Sequence, residues 1–208
     1  MKIKNRLPIA TISLLLLSLT LSLSACTPAV KAREETMMEA HAKTITPERR
    51  AAIMARIEKE ARGISTGSGA PNKAFVFFDP HCSYCSDLWR ATQSVENQVD
   101  FVWVPVSVFG EESAAMGAVI LESANPAGIM SANEESMRLS ENPLAITSVP
   151  TEAALSTVES NTALMHALDP AAPIQSVPLM YYRSAKGQVE VISGALDAGA
   201  LKSALKLE

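Results

Sequence analysis

Two cysteines with two residues between them, Cys82-Ser83-Tyr84-Cys85, form the stretch of this 208-residue chain whose residue types and spacing suit chemistry. The apolar run Phe75-Val76-Phe77-Phe78 leads into them, and a helical pattern follows from Ser86. At such a junction the first sulfur sits where a helix leaves backbone N–H groups unpaired and its dipole is positive, which stabilises the thiolate. Two intervening residues let the second thiol turn back within disulfide range. The pair can then exchange electrons with another protein through a mixed disulfide. On this logic Cys82, exposed at the helix start, is the nucleophile, and Cys85, shielded inside the first turn, the resolving thiol.

Other uses of the pair fit less well. Zinc needs four ligands, yet no second Cys-x-x-Cys exists and His41, His81 and His166 are scattered, so no metal is expected. Covalent haem requires His after the second Cys, where Ser86 stands. A structural disulfide stays open as a lesser reading, because a bridge closing so short a loop restricts the unfolded chain little. The expected redox group is the Cys82–Cys85 disulfide itself, with no other cofactor. His81 has two readings, an imidazolium that lowers the neighbouring thiol pKa or a cover over the helix start. His166, among Leu164, Met165 and Leu168, and Trp89, one turn after Cys85, read as structural.

The elements that position the pair alternate in type. Ala74–Phe78 reads as a buried strand, Ser86 to about Asn97 as a helix and Val99–Val106 as a second strand. Strand, helix, strand implies a parallel pair. From Glu112 to about Ser140 the apolar residues Met116, Val119, Ile120, Met137 and Leu139 fall in broken helical segments, interrupted at Asn125-Pro126 and Asn142-Pro143. Glu152–Leu168 is a further helix, Leu179–Arg183 and Val189–Ile192 form a hairpin, and Asp197–Leu207 closes as a helix. Upstream, Thr46-Pro47 starts a short helix with Ile53, Met54, Ile57 and Ala61 on one face, stopped by Gly63. "GISTGSGAPNK" then reads as a flexible linker.

The third cysteine belongs to a different segment. Lys2, Lys4 and Arg6 precede an uncharged, Leu-rich run from Leu7 to Val30, with the small residues Ser24 and Ala25 just ahead of Cys26. This is the layout of an export signal. The run is long enough to span a bilayer of ~30 Å, but its many Ser and Thr residues weaken the reading as a membrane anchor. Leu23-Ser24-Ala25-Cys26 resembles the lipobox of bacterial lipoproteins, which implies cleavage before Cys26 and a lipid on it. Thr27 stands where Asp would retain such a protein at the inner membrane. The resemblance thus implies the inner leaflet of the outer membrane, facing the periplasm, an oxidising compartment. Without Lys2, Lys4 and Arg6 the 18 basic residues become 15 against 22 acidic, a net charge of -7, which argues against nucleic acid as partner.

Phe78-Asp79-Pro80 before the first Cys, Tyr84 before the second, Trp89 in the following helix and "SVPLMYYRSAKG" further on resemble one family. It is the DsbC/DsbG branch of periplasmic thiol:disulfide oxidoreductases, DsbG more than DsbC, from about Ala74 to the C-terminus. The resemblance implies an α/β thioredoxin fold with an inserted helical subdomain. The implied organisation is a signal peptide over 1–25, a lipid-attached tether over 26–45, a short helix and linker over 46–73, and a thioredoxin-fold domain over 74–208. The insertion would span about 112–168. It also implies a cis Val177-Pro178 bond facing the cysteines, with Val177, Pro178, His81 and Tyr84 meeting the client. A cis X-Pro bond removes a donor and fixes a bend, letting the preceding backbone pair with an extended strand.

Departures from the branch bear on direction. Thr27 to Gly63 is far too short for the dimerisation domain those proteins carry. Val177 stands where reducing members usually have Thr, as in the oxidase DsbA, and Ser83 differs from the Gly or Pro of the two namesakes. Thioredoxin's buried Asp, six residues before the first Cys, is Val76 here. The expected function is reduction or isomerisation of disulfides in cysteine-containing envelope proteins, with re-reduction by a membrane partner of DsbD type. The alternatives are DsbA-like net oxidation and a non-catalytic scaffold in an envelope assembly.

Overall fold

The computed structural model describes residues 44–67, 69–70, 72–172, 176–184 and 186–207. The signal peptide, Cys26, His41 and the tether up to residue 43 lie outside them, as does Ala185 in the hairpin turn. Among the described residues no helix is long and apolar enough to cross a membrane. In chain order the elements are α1 (Pro47–Glu60), β1 (Ile64–Ser65), β2 (Asn72–Phe78), α2 (Ser83–Thr92), β3 (Val99–Pro105), α3 (Glu111–Glu122), α4 (Pro126–Ser140), α5 (Glu152–Leu168), β4 (Leu179–Arg183), β5 (Val189–Ser193) and α6 (Ala198–Leu205).

An unbroken apolar run suits a strand covered on both faces, and Ala74–Phe78 is buried at the centre of a sheet ordered β1-β3-β2-β4-β5. β2 runs parallel to β3, with Val76 opposite Trp103, and antiparallel to β4, with Phe77 opposite Leu179. Alternation sends Phe78 and Trp103 to one face, where their rings meet edge-on at 5.6 Å and Trp89 of α2 meets Trp103 edge-on at 5.2 Å. α6 shares this side, its Ala204 carbonyl accepting from Tyr182 Oη at 2.9 Å. Phe77 and Tyr181 meet on the opposite face.

The short strand β1 falls inside the segment that composition marks as a linker. Ile64 pairs with Trp103 and is buried, and a Cβ on Gly63 would collide with the Trp103 carbonyl, so the approach requires glycine. Two residues carry no period to read.

α1 starts as its sequence predicts, with Thr46 Oγ1 accepting the Arg49 N–H at 3.2 Å and Pro47 in the first turn. Ile53, Met54 and Ile57 bury its apolar face, each full burial being worth about 1.5–3 kcal/mol. Arg49 donates to the Leu168 carbonyl at 3.0 Å and Arg50 pairs with Glu190 at 3.1 Å, so the helix packs on α5 and β5. The helices α3, α4 and α5 form the insertion. Asn125 and Thr151 cap the last two by accepting from Gly128 and Ala154. α4 lies against α2 and α3.

α2 differs from its expected bounds of Ser86 to about Asn97. Cys82 is its N-cap, so the helix takes in Ser83-Tyr84-Cys85. It ends at Thr92, whose Oγ1 donates back to the Trp89 carbonyl at 2.7 Å, and tight turns fill the rest. His166 is exposed, on the outer face of α5, so it is no part of the core.

Candidate functional site

The dithiol sits where β2 leaves the sheet and α2 begins. Cys82 accepts the Cys85 and Ser86 N–H groups on its carbonyl at 3.0 and 3.3 Å, closing the first turn. No side chain caps this end. Both sulfurs are free thiols and both residues are buried, Cys85 entirely and Cys82 at 4% exposure. The burial of Cys82 corrects the expectation that the first residue of the helix is open to solvent. Its cover comes from a segment 95 residues away: Cys82 Sγ donates to the Val177 carbonyl at 3.6 Å. The Val177-Pro178 bond is cis, and both residues are buried against the pair.

The two thiols are driven apart electrostatically. The Cys85 side chain hydrogen-bonds to Cys82 and, as the largest cause, lowers the Cys82 pKa. The Cys85 and Tyr84 backbone N–H groups add to this, while burial and the Asp79 charge oppose it. Burial first, then the hydrogen bond to Cys82 and its charge, raise Cys85 well above the ordinary thiol value. One thiol is poised to ionise and the other to hold its proton.

Asp79 fixes the approach to the pair. Wholly buried, it accepts the His81 N–H at 2.8 Å and the Phe109 N–H at 2.9 Å, joining this loop to the one after β3. His81 is half-buried, and the contact it shows is this main-chain one. Tyr84 and Phe109 are exposed, at 58% and 60%. Among the described residues no group of three His, Cys, Asp or Glu is arranged to hold a metal ion.

Sequence reasoning missed two residues that the insertion brings here. Asn133 of α4, fully buried, donates through Nδ2 to the Pro80 carbonyl at 2.8 Å and accepts the Leu144 N–H at 3.0 Å. Beside it the Glu134 carboxyl is buried at 1% exposure and feels the Cys82 and Asp79 charges. The signal was present: Met130, Asn133, Glu134 and Met137 fall on one helical face, and an acid between the two methionines of a buried face is costly unless it has a use.

Residues 59–207 match the family described as thioredoxin-like domain. The chain belongs to that family. As a thioredoxin-like domain it is 27% identical over 143 residues to the thiol:disulfide interchange protein DsbG of Pseudomonas aeruginosa, covering 67% of this chain and 53% of that protein. It thus spans about half the length of that curated relative. Among solved structures it resembles ScsC of Proteus mirabilis in a transitional conformation, with TM-score 0.58, 18% identity and coverage of 86% and 84%. A periplasmic thioredoxin-like protein from Salmonella enterica serovar Typhimurium is similar, with TM-score 0.57, 18% identity and coverage of 74% and 94%. These structures share the thioredoxin-like domain's fold.

Proposed function

We propose that the chain is a periplasmic thiol:disulfide interchange protein, held by a lipid on Cys26 at the inner leaflet of the outer membrane, that reduces or isomerises disulfides of other envelope proteins. The observation that carries this reading is the asymmetry of the pair: a Cys82 thiol lowered by Cys85 and the helix start, beside a Cys85 thiol raised by burial. The Cys82 thiolate attacks a client disulfide, forming the Cys82–client bond and releasing the client's other sulfur. Cys85 then attacks Cys82, the Cys82–Cys85 disulfide forms, and the client leaves reduced. Val177 and Pro178 receive the client backbone opposite Cys82, and His81 and Tyr84 border the opening. A membrane partner of DsbD type returns two electrons to the disulfide.

One observation favours a second reading, net oxidation: stabilising the Cys82 thiolate stabilises the reduced form, which makes a dithiol more oxidising. Trapping tests the chemistry common to both. Cys85→Ser should accumulate covalent complexes with envelope proteins, seen on non-reducing gels and dissolved by reductant, while Cys82→Ser should trap almost none. Equal trapping would refute the assigned roles, and none from either variant would leave a scaffold.

A further inference from the structure

A carboxyl group buried next to two thiols has to be accounted for. The face of α4 turned into the molecule carries Met130, Asn133, Glu134 and Met137. Asn133 ties that face to the Pro80 carbonyl, two residues before Cys82. Glu134 Oε1 accepts from Asn133 Nδ2 at 3.2 Å, while its Oε2 is buried with no hydrogen-bond partner among the described residues. A polar atom left so is expensive. α4 packs against α2, and the charges that Glu134 exchanges influence with are those of the redox site: Cys82 and Cys85 at the start of α2, and Asp79 in the loop before it. On its own helix Glu135 and Arg138 are exposed and paired with each other. Glu111, Glu112 and Glu122 of the neighbouring α3 are exposed, and β1 carries no charge.

We propose that Glu134 is the proton-exchange group of this dithiol, a carboxyl supplied by the helical insertion that takes the Cys85 proton when Cys85 attacks the mixed disulfide on Cys82. This rests on the interchange reading above. Cys85 has no exposed surface and its pKa is raised, so it does not give its proton to bulk water directly. In the step proposed, the Cys85 S–H proton passes to the Glu134 carboxylate and the Cys85 sulfur attacks Cys82 Sγ. The Cys82–Cys85 bond forms and the Cys82–client bond breaks. The client sulfur leaves with the electron pair and takes the proton from Glu134. The dithiol is oxidised by two electrons and the client reduced by two.

The resting structure has the carboxyl in the matching state. Burial, together with the Cys82 and Asp79 charges, pushes Glu134 up to about 8, so near neutral pH it holds a proton, while Cys82, its pKa lowered, is the readier of the two thiols to ionise. Bonding Cys82 to a client removes one of those charges. The carboxyl then ionises more readily, at the stage where Cys85 needs a base.

The test uses the reduced full chain carrying Cys26→Ala, so that Cys82 and Cys85 are its two thiols, and Ellman's reagent in a stopped flow, which resolves two releases of the yellow aromatic thiolate. The first reports attack by Cys82, the second resolution by Cys85. Glu134→Gln should leave the first within about twofold and slow the second by at least about tenfold near neutral pH, the low side of what a general base contributes. The pH inflection of the second release should vanish in this variant and return in part in Glu134→Asp, which a packing defect alone would not produce. A second release in Glu134→Gln with wild-type rate and pH profile would overturn the proposal while leaving interchange intact. No second release from the wild type would overturn both. If the Gln variant does not fold, carbon NMR of the wild-type glutamates decides. One carboxyl should titrate well above the ordinary glutamate range in the dithiol form and move when the disulfide forms. If every carboxyl titrates in the ordinary range in both forms, Glu134 is not the relay.

Discussion

Replacing Cys85 with alanine should make Cys82 a weaker acid and invert its reactivity with pH. The hydrogen bond from Cys85 is the largest cause of the lowered Cys82 pKa, ahead of the helix N–H groups. A thiol is a weak donor, so its loss is set at the low end for bonds to charged groups, about 1.5 kcal/mol, or roughly one pKa unit. Below the lowered pKa the thiolate fraction of the variant falls roughly tenfold. The thiolate that remains is intrinsically more nucleophilic, with a Brønsted slope of about 0.4–0.5, so the net loss of alkylation rate is about threefold.

Above the raised pKa both proteins are fully ionised and the sign reverses. There the alanine variant should react faster than wild-type Cys82, also by about threefold. Cys85→Ser keeps a donor, now an O–H, and should stay near the wild-type curve. Iodoacetamide rates at Cys82, read by mass spectrometry from pH 5 to pH 10, would show the crossover. Alanine and serine variants that shift alike, or an alanine variant that follows wild type throughout, would mean that the helix start, and not Cys85, sets the acidity of Cys82.

Two further outcomes concern the anchor and the direction of electron flow. Cys26→Ala should abolish labelling by a fatty-acid probe and block processing before residue 26, whereas labelling that survives would refute lipidation there. Val177→Thr places a hydroxyl on the residue whose carbonyl accepts from Cys82 Sγ, so it should shift the reduction potential against glutathione, where a tenfold change in equilibrium constant is about 30 mV. An unchanged potential would separate the Val177 side chain from the sulfur chemistry.

The parts of the site that could be read in sequence were those held by local rules. The apolar run of β2, the Cys-x-x-Cys at a helix start, the cap at Thr46 and the break at Asn125-Pro126 each announce themselves within a few residues. What failed to show depended on distant partners. β1 exists because Ile64 finds Trp103, and Cys82 is closed off by Val177. Trp89 was read correctly as packing, since aromatic rings at that helical phase face the sheet. His166, read as structural, is exposed, because its apolar neighbours Leu164, Met165 and Leu168 occupy the buried phases of α5 and leave it the outer one.

The acidity of the two thiols divides in the same way. A Cys-x-x-Cys motif supplies the terms that are local to it: the Cys85 hydrogen bond, the helix N–H groups and, just upstream, the Asp79 charge that opposes them. Residues far away in the chain supply the rest. α4 lends the buried Glu134, and Asn133 of the same turn fixes the Pro80 carbonyl, so the packing of the insertion and the electrostatics of the pair are one property. The charge of Glu134 adds to the raised Cys85 pKa, the smallest of its causes, so it is through Cys85 that the packing of α4 bears on the pair. Ser83 and Tyr84 therefore cannot determine by themselves whether this pair gives or takes electrons; the insertion has to be counted with them.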